Sequence, residues 1–318
     1  MKRTAIVCIT ALLGTACTSD TPASDSPASP PISATATTIS TTLPPDTWLG
    51  PCGRSGPPPP SYDHVIWVWM ENKNTAAVLD PRTAPFMDQL RTSCGSAANY
   101  VDHGVHPSLP NYVAATSGGT QGVSDDGAPA SHPLDDDNIF RQVRDIGKSA
   151  KSYEEAMPTN CALKSTSRYA VKHNPAAYYV GNDDRTACEH DNVSFDQFLP
   201  DLDNGLPAFS LITPDICNDM HDCSVAVGDQ WSHDVVSAIM SSETYLAGRT
   251  AVFVVFDESE GGGAMPFIAV APSIVPGTVV ATELDHYSLL GFTEDALGIA
   301  ARLGGAANAP SLTDAFGI

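Results

Sequence analysis

Read by the spacing of its apolar residues, the chain changes character near residue 60. Beyond it, short unbroken apolar runs alternate with stretches whose apolar residues recur every three or four positions. The first kind suits strands buried on both faces, and the second suits amphipathic helices. "HVIWVWM", "SAANYVD", "SAKSYEEAM", "AFSLITP", "TAVFVVFD" and "PFIAVAP" predict strands. Helices are predicted over 84–93, after Ser108, over 138–148, in "FDQFLPDL", over 230–246 and over 286–297. Such alternation predicts an α/β domain, over 61–318, around a largely parallel sheet. Residues 18–60 are rich in Ser, Thr and Pro and poor in large apolar groups, so they read as a disordered tether.

The first residues, "MKRTAIVCITALLGTAC", have a basic start, a short apolar stretch and a small-residue end. Residues 1–17 therefore read as a secretory signal peptide, since the apolar run is too short to span a membrane. Cys17 opens the tether as the acylated cysteine of a bacterial lipoprotein does, although Gly14 stands where leucine is usual. The alternative is ordinary cleavage and release. Either way the protein is expected outside the cell or on its surface, touching membrane only through such an anchor.

Export changes the reading of the cysteines. Six remain beyond the leader, and sequence proximity pairs Cys52 with Cys94, Cys161 with Cys188, and Cys217 with Cys223. Thiolate zinc binding is the weaker alternative, because no CxxC pair is present. Charge narrows the partners: 16 Lys and Arg against 37 Asp and Glu give a net charge of -21, which argues against nucleic acid. An anionic substrate would need local help from a metal ion or a helix N-terminus. "NVS" at Asn192 matches a glycosylation acceptor, but the bacterial-looking leader argues against its use.

Ligands of open α/β sheets gather beyond the carboxyl ends of the strands. "HVIWVWMEN" delivers Glu71 and Asn72 to such an end, and "AVFVVFDESEGGG" delivers Asp257 and Glu258. Three carboxylates and an amide suit a divalent cation, or a mixed site if histidines join. After "AFSLITP", the loop "TPDICNDMHDCSVAVGD" packs Asp219 and His221 between two cysteines. Near the C-terminus Asp285 is placed to cap a helix whose first turn carries His286, a position that favours a neutral imidazole. Each feature alone could be a solvated turn or a cap.

In "GVHPSLPNYVAATSGG", Ser108 is expected at the N-cap of a helix, with Pro110 in the first turn. A serine there also faces backbone N–H groups that favour a phosphate, the neighbourhood a hydroxyl nucleophile needs.

With these pieces in order, "HVIWVWMEN", "HPSLPNYVAATSG", "CNDMHDCSVAVGDQW", "VVFDESEGG" and "DHYSLLGFTEDALG", the chain resembles the bacterial phosphoesterase family of the alkaline phosphatase superfamily. That family contains secreted acid phosphatases, phosphatidylinositol-3-phosphatases and phospholipase C enzymes. The resemblance implies a three-layer α/β/α sandwich and a phosphomonoesterase acting through a phosphoserine on a phosphorylated small molecule or a phosphoinositide. It implies Ser108 as nucleophile, Asn111 against a phosphoryl oxygen, and Glu71, Asn72, Asp257 and Glu258 on a divalent metal. His221 and His286 complete the site as catalytic groups, with Asp219 as a further ligand. Where phospholipase relatives read "DEHGG" this chain reads "DESEGG", so Ser259 replaces a histidine. A phosphodiesterase of the phospholipase C kind, or a surface lipoprotein that binds a phosphorylated ligand without turnover, are the alternatives.

Overall fold

The computed structural model describes residues 50–54 and 56–318; the expected signal peptide and the tether up to residue 49 lie outside the described residues. In chain order come β1 (His64–Met70), α1 (Thr75–Val78), α2 (Pro85–Ser93), β2 (Gly95–Ala97), β3 (Tyr100–Val101) and α3 (Ser108–Ser117). Next are α4 (Ile139–Asp145), β4 (Ala150–Glu154), α5 (Asp184–Asp191), β5 (Asn192–Ser194), α6 (Phe198–Asn204) and β6 (Phe209–Thr213). The last are α7 (Val225–Ser241), α8 (Glu243–Leu246), β7 (Thr250–Phe256), β8 (Phe267–Val270), β9 (Thr278–Val280), β10 (Leu284–Asp285), α9 (His286–Leu297) and α10 (Leu312–Phe316).

Eight strands form one sheet in the order β5-β4-β6-β1-β7-β8-β2-β9. All neighbours run parallel except β8, which is antiparallel to both β7 and β2. β3 and β10 pair in a separate two-stranded ribbon. Successive side chains of a strand point to opposite faces. On β1, Trp67 donates its indole N–H to Thr293 of α9 and Trp69 packs on Tyr112 of α3, while Met70 meets Ser232 of α7. Helices α3, α4 and α9 thus cover one face and α2 and α7 the other, the expected three layers. Burial on both sides explains why β1 and β7 are apolar without interruption.

Helix α3 ends where Gly118 takes a left-handed φ of 74°. A Cβ there would lie 2.4 Å from the Leu303 carbonyl oxygen, so only glycine fits this stop.

Several expectations need correction. Residues 50–54 dock on the domain rather than belonging to the tether: Cys52 is buried and bonded to Cys94, Pro51 accepts the Tyr245 hydroxyl, and the Arg54 N–H reaches Pro272. "SAANYVD" splits into β2 and β3, in different sheets. The helix expected over 230–246 starts earlier, at Val225, and breaks at Ser242, whose hydroxyl caps α8. All three disulfides form as paired by proximity. Asn192 of "NVS" is buried and exchanges side-chain hydrogen bonds with Asn174, so it is closed to glycosylation.

Candidate active site

Because β6, β1 and β7 are parallel neighbours, the residues that follow them meet at one edge of the sheet. Glu71 and Asn72 follow β1, Asp257 and Glu258 follow β7, and the loop carrying Asp219 and His221 follows β6. The backbone joins them directly: the Glu71 N–H donates to the Asp219 carbonyl at 2.8 Å, and the Asn72 N–H to Asp257 Oδ1 at 2.9 Å. Asn72 adopts a left-handed φ of 49°, which asparagine tolerates better than most residues. The Cys217–Cys223 bridge and Glu155, which accepts from the Asp215 N–H and from Asn218, hold the loop in shape.

Ser108 opens α3 beside this cluster. It is the first helical residue, not the N-cap, which is Pro107, and its side chain makes no cap bond. Its Oγ instead donates to Glu71 Oε2 at 3.0 Å. Tyr112 donates to the other oxygen, Oε1, at 2.6 Å, and Asn72 Nδ2 adds a bond to Oε2 at 3.1 Å. Of the helix's first N–H groups, that of Leu109 is taken by Asp126 Oδ1 at 3.0 Å, so the bare helix end expected to cradle phosphate is partly occupied.

His173, which no sequence motif marks, reaches the centre of the site from a 3-10 turn over Val171–His173. Its Nε2 lies 3.2 Å from Glu71 Oε1 and its Nδ1 lies 3.1 Å from Asp219 Oδ2. Burial first, then Lys172 and His221, hold this imidazole well below its usual pKa, so it is neutral and these contacts are not ion pairs. Neither contact has hydrogen-bond alignment: both ring nitrogens, Asp219 Oδ2 and Asp257 Oδ2 are buried without a partner among the described residues. Orphaned donors and acceptors of this kind are costly unless something else satisfies them.

The carboxylates crowd one another. Burial, then Asp257 and Asp219, push Glu71 well above its ordinary pKa. Asp257 is pushed up to about 7, chiefly by burial and then by Glu258 against opposing backbone hydrogen bonds, and Asp219 to about 8, chiefly by burial. Three buried carboxylates around a neutral histidine, with inward-facing atoms unsatisfied, fit a divalent cation. Donor atoms of Glu71, His173 and His221 lie within 4.8 Å of one another. The mixed nitrogen and oxygen set is typical of a transition metal or zinc rather than calcium.

The remaining expected residues sort by position. Asn111 is buried, its Nδ2 donating to the Val105 carbonyl at 2.8 Å and to Glu258 Oε2 at 3.2 Å, while its Oδ1 has no partner. Glu258, expected on metal, instead takes Asn111 and His106, whose Nδ1 is 2.6 Å away. His221 holds Asp222 through Nδ1 at 2.7 Å, and its Nε2 is 3.4 Å from Lys172 Nζ. His286, expected to be catalytic, is fully buried behind Asp257: Nε2 meets the Asp257 carbonyl at 2.7 Å and Nδ1 the Tyr100 hydroxyl at 2.9 Å. Both ring nitrogens are spent on protein, and burial, followed by His103, lowers its pKa to about 3. Asp285 caps α9 as expected, in a capping box with Ser288. A cleft of about 530 Å³ opens beside the cluster, bounded on this side by Asn72, His106, His221 and Glu258.

Residues 63–300 match the Phosphoesterase family. The chain is 30% identical over 262 residues to the phosphatidylinositol-3-phosphatase of Mycobacterium tuberculosis, covering 81% of this chain and 84% of that protein. It is 33% identical over 208 residues to a probable acid phosphatase of Kluyveromyces lactis, covering 59% of this chain and 48% of the relative. Among solved structures, an alkaline phosphatase superfamily protein from Vibrio parahaemolyticus superposes with a TM-score of 0.56 at 10% identity, covering 83% of this chain and 72% of the other. The lipoteichoic acid synthase LtaP from Listeria monocytogenes gives 0.57 at 9% identity, covering 79% and 76%. Strand-end carboxylates, the α3 serine and these similarities agree, and the chain belongs to the phosphoesterase family as a phosphoric ester hydrolase.

Proposed function

We propose that this is an exported phosphomonoesterase that works through Ser108 and a phosphoserine. The observation carrying the reading is the 3.0 Å bond from Ser108 Oγ to Glu71 Oε2, at the centre of a buried carboxylate and histidine cluster beside an open cleft. Acid phosphatase and phosphatidylinositol-3-phosphatase relatives support phosphorylated substrates, a phosphoinositide in one case. Three disulfides support an oxidising compartment.

Ser108 Oγ attacks phosphorus, forming an O–P bond as the bond to the leaving alcohol breaks, and Glu71 is placed to take the hydroxyl proton at Oε2. Glu71, His173 and His221 would hold a divalent ion, with Asp219 and Asp257 offering their unpaired oxygens. Such an ion supplies positive charge against the phosphoryl oxygens and lowers the pKa of a nearby hydroxyl. Lys172, kept protonated because Asp126 and the site carboxylates outweigh its burial, adds a second positive group. His106 stands outside the ligand set. As the imidazolium, it donates Nδ1–H to Glu258 and gives its Nε2 proton to the departing alcohol, since His106 lines the cleft. Water then hydrolyses the phosphoserine. His286 serves by holding the Asp257 backbone in place.

Steady-state hydrolysis of p-nitrophenyl phosphate and of its bis ester, with and without chelator, tests the reading. Monoester turnover lost on chelation is the expected result. Turnover of the bis ester alone would make the enzyme a phosphodiesterase. Absence of both in folded, metal-supplemented protein would leave a phospholigand-binding protein.

A further inference from the structure

The loop between α3 and α4 is pinned to the core: Val123 is buried, and the Gly127 carbonyl accepts the hydroxyl of the buried Tyr178 at 3.0 Å. Between these anchors Asp126 is bonded at both carboxylate oxygens. Its Oδ1 accepts the N–H of Leu109, the residue after Ser108, at 3.0 Å, and its Oδ2 accepts from Lys172 Nζ at 2.9 Å. Lys172 is the middle residue of the 3-10 turn that carries His173. One carboxylate therefore fastens the helix of the nucleophile to the turn of the buried histidine.

Both partners are donors, and a carboxylate meets them with two acceptor oxygens, whereas an amide would turn its NH2 toward one of them. The arrangement also decides which group is left for a phosphoryl oxygen. With its N–H spent on Asp126, Leu109 has no donor to offer. Lys172 gives Asp126 one of its three N–H bonds and lies 3.4 Å from Nε2 of His221, which lines the cleft. A hydrogen bond from an ammonium to a phosphoryl oxygen is roughly twice as strong as one from a neutral N–H. We infer that Asp126 is a positioning residue: it gives up the neutral donor of the helix end and holds the Lys172 ammonium beside Ser108 for the phosphoryl group. Asp126 acts through Lys172 and does not itself touch the substrate. This rests on the phosphomonoesterase reading above.

Full-length, metal-loaded wild type, Asp126→Asn, Lys172→Met and the double variant are compared by calorimetric binding of inorganic phosphate and by hydrolysis of p-nitrophenyl phosphate, with thermal melting to verify folding. Asp126→Asn is expected to weaken phosphate about tenfold or more and to raise KM with it, the size of a lost hydrogen bond to a charged group. A merely structural role, which removes active enzyme, would lower kcat and leave KM and the phosphate constant unchanged. The double variant is expected to bind phosphate no worse than Lys172→Met, because the two residues act as one unit. An unchanged phosphate constant in Asp126→Asn, or losses that add in the double variant, would overturn the inference. If Asp126→Asn does not fold, Asp126→Ser, which keeps an acceptor for Leu109 alone, takes its place with the same expectation. Phosphate binding that survives Lys172→Met would overturn the inference whatever either variant does. A wild type that binds phosphate without turning over the ester would remove the phosphomonoesterase reading, while the binding comparison would still decide the role of Asp126.

Discussion

Ser108 and Tyr112, one turn apart on α3, donate their hydroxyls to opposite oxygens of the same buried carboxylate, Glu71. A helix places residues four apart on one face, so a single element aims the nucleophile and braces the group that receives its proton. Ser108→Ala is expected to reduce p-nitrophenyl phosphate turnover by at least about a thousandfold while melting and circular dichroism stay close to wild type. Substantial residual turnover would remove Ser108 from the nucleophilic role.

Tyr112→Phe keeps the ring on Trp69 but leaves Glu71 Oε1 short of its 2.6 Å donor. Hydrogen bonds to groups around a metal site commonly tune affinity about 10–100-fold. The variant is expected to need correspondingly more metal for half-maximal activity and to lose about 1–3 kcal/mol of stability. Metal titration and chemical denaturation measure the two separately.

Without metal, the site carboxylates favour acid. Asp257 and Asp219 have folded pKa values of about 7 and about 8, above their unfolded values, so the native state binds more protons in between. Their contribution is complete below roughly pH 4 and is lost as pH rises through 7 to 8. The melting temperature of chelated protein should therefore fall across that window. Added divalent metal should raise it, by the equivalent of about 2.7 kcal/mol at a hundred times Kd, and more strongly as pH rises because the ion competes with protons. A chelated protein that melts at the same temperature throughout would contradict the crowded-carboxylate account.

Glu154, at the end of β4, is fully buried away from any metal role, and burial outweighs its hydrogen bonds to push its pKa to about 8. Ionising it in the unfolded chain draws the equilibrium toward unfolding between roughly pH 4.5 and 8. Glu154→Gln should stabilise the protein at pH 8 by on the order of a few kcal/mol and have little effect at pH 5, as urea denaturation at both values would show.

Cys217 and Cys223 close the loop that carries Asp219 and His221. Replacing both by serine should loosen Asp219 and His221 and, because Met220 of the same loop is buried in the core, should lower stability as well. An activity loss of about tenfold at a temperature well below melting, together with a lowered melting temperature, is the expected pattern.

The layered architecture was legible because β1 and β7 are continuous apolar runs whose ends carry polar groups, a pattern that depends only on local order. The disulfides were legible for a similar reason, since each joins cysteines that are neighbours in sequence. His173 was not, because it sits in an irregular loop between β4 and α5, and only the β4-β6-β1 order of the sheet brings that loop over Glu71. Helix α5 escaped too: only Asp184 and Cys188 are buried, so it has almost no apolar face and is held by a disulfide and by Asp184's pairs with Arg141 and Arg144. His286 was placed correctly on its helix, but a helix position does not say whether an imidazole faces the cleft or the core.

The Cys52–Cys94 bridge also sets a direction. Around it Pro51 and Arg54 touch Tyr245, Leu246 and Pro272, which lie before β7 and after the antiparallel β8. They therefore occupy the rim of the sheet opposite the one that bears Ser108 and Glu71. The bridge thus fastens residues 51–54 to the back of the sheet and leaves the strand-end rim that bears the catalytic residues free of them.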